Sequence, residues 1–258
     1  MAKSLELQIQ LQPDETTCGP TCLHAVYQYF EDPIPLQQVI DETPTVEGGG
    51  TLAVMLASHA LRRGYRATIY TYNLAVFDPT WFPNPIPVGG THSDEEDVIG
   101  APTSHPNTAV SDLRDRLATQ IEIKKSEKLR RACRAYITFL ELGGRIVMQD
   151  LNATLIRKHL KKSLPILTGL SSTYMYRCTR ILPVTGVPSD VAGVAEGHFV
   201  VLCGYDKSRK TVRVADPYLP NIAGHEHYYE LGLDRLICSI LLGVLTYDAN
   251  LLIIEPAK

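Results

Sequence analysis

The apolar positions of this chain change period several times, and each change predicts an element. Residues 5–11 (Leu-Glu-Leu-Gln-Ile-Gln-Leu) alternate strictly, which predicts a half-buried strand leading to Gln12. From Cys18 the spacing turns helical. Cys22, Leu23, Val26, Tyr27 and Phe30 recur on one face, and Asp32-Pro33 ends the run. Pro20 fits there because amides of a first helical turn lack intrahelical acceptors. A short helix is predicted over 36–40. Gly48-Gly49-Gly50 then leads into a helix capped by Thr51 and running to about Arg63, closed by Gly64 and followed by a strand over 66–72. No Lys-Ser/Thr follows the triple glycine, so it reads as a loop and not as a phosphate cradle.

Residues 73–110 show no period. They hold many prolines, the acidic run Asp94-Glu95-Glu96-Asp97 and the sole tryptophan, Trp81, beside Phe82. Long irregular segments of this kind serve as lids or stay disordered; the aromatics read as cover for the core, with lining of a substrate groove as the second reading. Residues 111–142 are helical in composition, with Leu129, Cys133, Tyr136, Ile137 and Leu140 forming one apolar face. Their basic residues, among them Arg114, Arg116, Lys128 and Arg134, read as a solvated face, with docking of a protein partner as the second reading. A short strand at 146–148, a helix over 155–162 capped by Asn152, and a strand at 165–170 follow. A helix at 233–242 and a strand at 251–255 end the pattern. Helices precede paired strands, so the expected class is α+β, as one domain over residues 1–258 with an insertion at 73–144.

Composition narrows the function. The 258 residues are 45% hydrophobic and 21% charged, with a net charge of −3, which suits a globular chain with a large core and disfavours non-specific nucleic-acid binding. The longest apolar region, 231–247, is broken by Asp234 and Arg235 and is too short for a bilayer, so no membrane partner is expected. The first residues lack an apolar signal core, and six scattered cysteines read as reduced thiols, so the expected compartment is the cytoplasm.

Candidate chemistry sits in two distant stretches. Cys18 stands among turn and cap residues at a helix start, where the helix dipole favours thiolate over thiol. Gly197-His198-Phe199-Val200-Val201-Leu202 and Thr211-Val212-Arg213-Val214-Ala215-Asp216 read as a hairpin. A three-residue loop, 206–208, would pair Tyr205 with Arg209 and set His198 directly opposite Asp216, where a carboxylate orients the imidazole. Cys22, four residues after Cys18, suggests a metal pair, but no second pair of ligand spacing accompanies it, so Cys22 reads as core and no metal or other cofactor is expected. His225 and His227 would share one strand face without an evident third ligand and read as surface packing. His24, His59 and His159 fall in helices without evident partners and read as structural or solvated.

These stretches resemble the papain-like cysteine peptidases, and within them the double-glycine leader peptidases of bacteriocin export and their stand-alone relatives. The residues that carry the resemblance are Gln12, five intervening residues, Cys18-Gly19-Pro20, the His198-Phe199-Val200-Val201-Leu202 strand and Asp216-Pro217. Thr17 stands where those relatives commonly have Asp. The resemblance spans roughly 5–72 and 145–255 and implies a helix bearing the nucleophile packed on a C-terminal antiparallel sheet. It implies Cys18 as nucleophile, His198 as general base and acid, Asp216 as orienting carboxylate and Gln12 as an oxyanion donor. The implied activity is cleavage of a peptide or amide bond through a thioester. Acyl or peptidyl transfer by the same residues, or a catalytically idle peptide-binding module, are the alternatives.

Overall fold

The computed structural model describes residues 2–46, 50–82, 106–222 and 224–257. In chain order these form β1 (Ala2–Ser4), α1 (Cys18–Tyr29), α2 (Leu36–Glu42), α3 (Ala53–Arg62), β2 (Tyr65–Thr71), α4 (Pro106–Ile123), α5 (Glu127–Glu141) and β3 (Arg145–Val147). Then come α6 (Ala153–Lys161), β4 (Ile166–Ser171), α7 (Ser172–Tyr176), β5 (Gly197–Asp206), β6 (Thr211–Ala215), β7 (Tyr228–Gly232), α8 (Leu233–Leu242) and β8 (Asn250–Pro256). The strands make one sheet in the order β3-β2-β8-β4-β5-β6-β7, with β1 added to β5. Among the described strands only the short β2–β3 pair is parallel. The class is therefore α+β, as expected.

α1 is the central helix. Every residue from Cys18 to Tyr27 is buried, and apart from His24 these are apolar or small, which suits a helix enclosed on all sides by other elements. It packs on β5, α2 and α3. Gly19 permits that approach: a Cβ there would lie 2.6 Å from Thr51 Cγ2 and 3.2 Å from a ring carbon of Phe199. β4 and β5, almost wholly buried, form the middle of the sheet. The helix beginning at Cys18 thus lies on an antiparallel sheet that carries His198, the layout the resemblance implied.

Several expectations need correction. Residues 5–11 keep their alternating burial, Leu5, Leu7 and Ile9 inward, but form no ladder. The Tyr228 hydroxyl supplies the missing partners, donating to Leu7 O at 2.9 Å and accepting from Ile9 N at 3.0 Å. The strand is β1 instead. The 111–142 helix is two helices, broken where Ser126 accepts from Leu129 N and caps α5. Thr51 does not cap α3; its hydroxyl donates to Pro44 O, while Asp248, far along the chain, accepts from Ala53 N at 2.9 Å. The acidic run and two of the three glycines lie outside the described residues.

The hairpin register differs as well. Asp206 pairs with Thr211 and Tyr205 with Val212, so the turn has four residues, and a bulge at Cys203 shifts the ladder to Leu202–Val214 and Val201–Ala215. The Asp206 carboxylate draws the turn in by accepting from the Ser208 and Arg209 amides. Continued to the strand end, this register sets position 218, not Asp216, opposite His198. The displacement is two residues. A shift by two preserves the face on which each side chain lies, so the two side chains still meet, diagonally.

Candidate active site

The turn before α1 is organised by Asp14. Its carboxylate accepts from the Thr16 amide and hydroxyl at 2.7 and 2.8 Å, bonds that hold it below the usual carboxylate range. Its carbonyl accepts from Gln12 Nε2 at 2.7 Å and from the Thr17 hydroxyl at 3.1 Å. Gln12 is also tied by its backbone, donating N–H to Pro217 O at 3.0 Å. The stretch before Cys18 and the loop after Asp216 are thereby joined. Among the described residues the Cys18 amide meets no protein acceptor, as is usual for a first helical turn.

His198 heads β5, opposite Leu170 of β4. Its Nε2–H donates to Asp216 Oδ1 at 2.8 Å, which turns Nδ1 away from that carboxylate, and the Cys18 side chain is near enough to act on the ring. Burial opposes a charged imidazole, but the hydrogen bond and charge of Asp216, with the Cys18 contact, outweigh it and push His198 up to about 10. Asp216 is completely buried. Burial raises its proton affinity, yet bonds and charge from His198, the Tyr176 hydroxyl and the Tyr218 amide leave it below the usual range. The structure therefore brings Cys18, His198 and Asp216 together and anchors Gln12 to the same loop.

Other residues take parts that sequence spacing did not assign. Tyr176 and Tyr229 both donate their hydroxyls to Asp216 Oδ2. Tyr229 lies two residues beyond His227, in a stretch whose spacing points to no site, and no spacing rule links Tyr176 to a carboxylate forty residues on. His227 does not share a strand face with His225; its Nδ1 lies 2.7 Å from Asp216 O, and its carbonyl accepts from Asp216 N at 2.8 Å. Cys22 is core, as expected. Its thiol donates to Phe199 O at 3.2 Å, and burial, then the neighbouring Cys18 and Asp216, push it well up.

A second histidine–carboxylate pair, His59 with Glu42 at 3.0 Å, borders a surface cavity of about 480 Å³. Burial lowers His59, and its Nδ1 bonds to the hydroxyl of Tyr27, which is fully buried. No thiol or serine lines that cavity, so this pair lacks a nucleophile. Among the described residues no His/Cys/Asp/Glu group has the arrangement of a metal site.

Residues 134–235 match the model of the Peptidase_C39 like family. Over that span the chain is similar to C39-type cysteine peptidases; the span holds His198 and Asp216 but not Cys18 or Gln12. None of the curated proteins matches significantly. Among solved structures, a double glycine motif protease from an AMS/PCAT transporter, in complex with the leader peptide, aligns at 12% identity over 98% of this chain and 94% of its own, with a TM-score of 0.42. A C39-like peptidase from Bacillus anthracis aligns at 12% identity over 100% and 99%, with a TM-score of 0.48. Xylellain, a cysteine protease from Xylella fastidiosa, aligns at 15% identity over 100% and 86%, with a TM-score of 0.43.

Proposed function

We propose that this chain is a cysteine peptidase that cleaves a peptide or amide bond through a thioester on Cys18. The observation that carries the proposal is the Cys18–His198–Asp216 constellation, drawn from a helix start, a strand head and a loop. Thiols are strong nucleophiles once deprotonated, and an adjacent imidazole both takes the proton and stabilises the resulting anion. His198 Nδ1 accepts the Cys18 proton while Asp216 holds Nε2–H and thereby the ring's tautomer. Sulfur adds to the carbonyl carbon, and His198 returns the proton to the departing amine as the C–N bond breaks. Water, deprotonated by His198, then opens the thioester and frees the acid and Cys18.

The Cys18 amide and the second N–H of Gln12 Nε2 are assigned to the developing oxyanion. One such donor contributes about 2.7–4 kcal/mol to transition-state stabilisation. Gln12→Ala is therefore expected to lower kcat by about a hundredfold or more.

The test is hydrolysis of a peptide library followed by mass spectrometry, with Cys18→Ala as control. Cleavage by the unaltered chain and none by the variant is expected; equal cleavage by both would remove Cys18 from the reaction. Running the assay with added amines separates hydrolysis, which yields free acids, from acyl transfer, which yields new amides.

A further inference from the structure

Asp216 is held by more donors than the orientation of one imidazole requires. Oδ1 accepts from His198 Nε2 at 2.8 Å and from the Tyr218 amide at 3.0 Å. Oδ2 accepts from two phenols, Tyr176 and Tyr229, each at 2.7 Å. A carboxylate offers about four acceptor sites, and all are filled here by protein.

The phenols come from separate elements. α7 continues directly from β4, whose Leu170 faces His198, and so brings Tyr176 back over the imidazole, with ring centroids 6.0 Å apart. Arg235 of α8 locks that short helix by donating to the Tyr174 and Met175 carbonyls at 2.9 and 3.0 Å. Tyr229 projects from β7, beside Ala215 and Val214 of β6. Burial, then the charge of Asp216, raises both phenols far above their usual range, so both remain hydrogen donors.

We propose that Tyr176 and Tyr229 form a phenol clamp that fixes the Asp216 carboxylate and tempers the negative charge it presents to His198, which makes both of them positioning residues of the peptidase reaction. The inference rests on the catalytic reading above. Two neutral donors on Oδ2 draw charge away from Oδ1 and stop the carboxylate from turning. Removing one hydroxyl leaves Oδ1 more negative and the carboxylate freer. The imidazolium then holds its proton to higher pH, while the ring is less well aimed at sulfur. The other titratable groups that face the pair are Cys18 and Cys22 from α1, Glu196 just before β5, and Tyr218 and His227 from the loop.

The test is the rate of Cys18 carboxymethylation by iodoacetate from pH 5 to 12, a range that brackets the raised His198 value, read by peptide mapping, in the unaltered chain, His198→Ala, Tyr176→Phe and Tyr229→Phe. The anionic reagent is favoured by an imidazolium, so the fall in rate at alkaline pH reports the loss of the His198 proton. Each Phe variant is expected to lower the neutral-pH rate about two- to tenfold, the range of one hydrogen bond, and to move the alkaline fall to higher pH. Unchanged alkaline falls in both variants, with His198→Ala losing the fast reaction, would overturn the clamp and leave the peptidase reading standing. If His198→Ala reacts like the unaltered chain, the catalytic reading fails, and the clamp with it. Tyr176→Leu serves as a second check, because a role in packing alone would make it lower the rate and Tyr176→Phe leave it unchanged. Should either Phe variant not fold, the other carries the test.

Discussion

At the scale of single residues, His198 and Asp216 make the protein's stability depend on pH in a defined sense. The folded state raises His198 above its ordinary value near 6.5, to about 10. Stabilisation from the imidazolium is thus fully present below about 6.5 and is lost as pH rises through the folded value. The unfolding free energy of the unaltered chain, minus that of His198→Ala, should therefore shrink between pH 7 and 10 in chemical denaturation; a difference that stays flat would show that the pair does not carry the charge. The two neighbouring cysteines should differ sharply. Cys18 borders the imidazole, whereas Cys22 is sealed at 0% exposure with its thiol on Phe199 O. Iodoacetamide should modify Cys18 in the native protein and reach Cys22 only after denaturation, and early labelling of Cys22 would contradict the buried thiol.

At the scale of elements, α1 and α3 depend on contacts from elsewhere in the sequence. Alanine is intrinsically favoured over glycine in a helix by about 1 kcal/mol. At Gly19 the close approach of Thr51 and Phe199 outweighs this, since crowding a packed core costs about 1–3 kcal/mol. Gly19→Ala should therefore destabilise the protein and slow Cys18 alkylation together; a more stable variant would refute the packing argument. α3 is capped by Asp248, whose carboxyl is pushed up by burial to about 7 despite the bond from Ala53 N. Between the ordinary carboxylate value near 3.8 and about 7, the folded chain binds a proton that the unfolded chain releases, so this group lowers stability as pH rises across that window. Asp248→Asn keeps an acceptor for the amide and should remove that slope, gaining on the unaltered chain from pH 4 to 7 in denaturant titrations. Parallel curves for the two proteins would sink the assignment.

At the scale of the whole molecule, α5 belongs to the core. Leu129, Cys133, Tyr136, Phe139 and Leu140 are buried in the same cluster as α1 and the sheet, and Tyr136 meets Phe77 edge-on at 4.7 Å. Each large apolar side chain of this kind contributes about 1.5–3 kcal/mol on burial, so losing several exceeds the net stability of a typical domain. Excising residues 106–141 should abolish the cooperative thermal transition. A variant that still melts cooperatively near the parent temperature would show that the segment is a detachable attachment.

The sequence by itself determined the local elements and the residue types of the site. Periodicity placed α1, α6 and α8, the Asn152 cap and the inward face of residues 5–11, because these follow from side-chain spacing and short-range hydrogen bonds. Turn and cap residues before Cys18, and a His strand followed by Asp-Pro, were enough to nominate Cys18, His198 and Asp216. The tertiary structure decided what depends on distant partners: the Asp248 cap on α3, the Tyr228 hydroxyl that replaces a strand for residues 5–11, and the phenols on Asp216. It also decided the hairpin register, where a four-residue turn and the Cys203 bulge departed from the simplest count. The juxtaposition survived because a strand shifted by two residues keeps its faces. Local pattern thus fixes which face a side chain occupies, whereas which atom it meets there depends on the packing of elements whose separation along the chain carries no periodic signal.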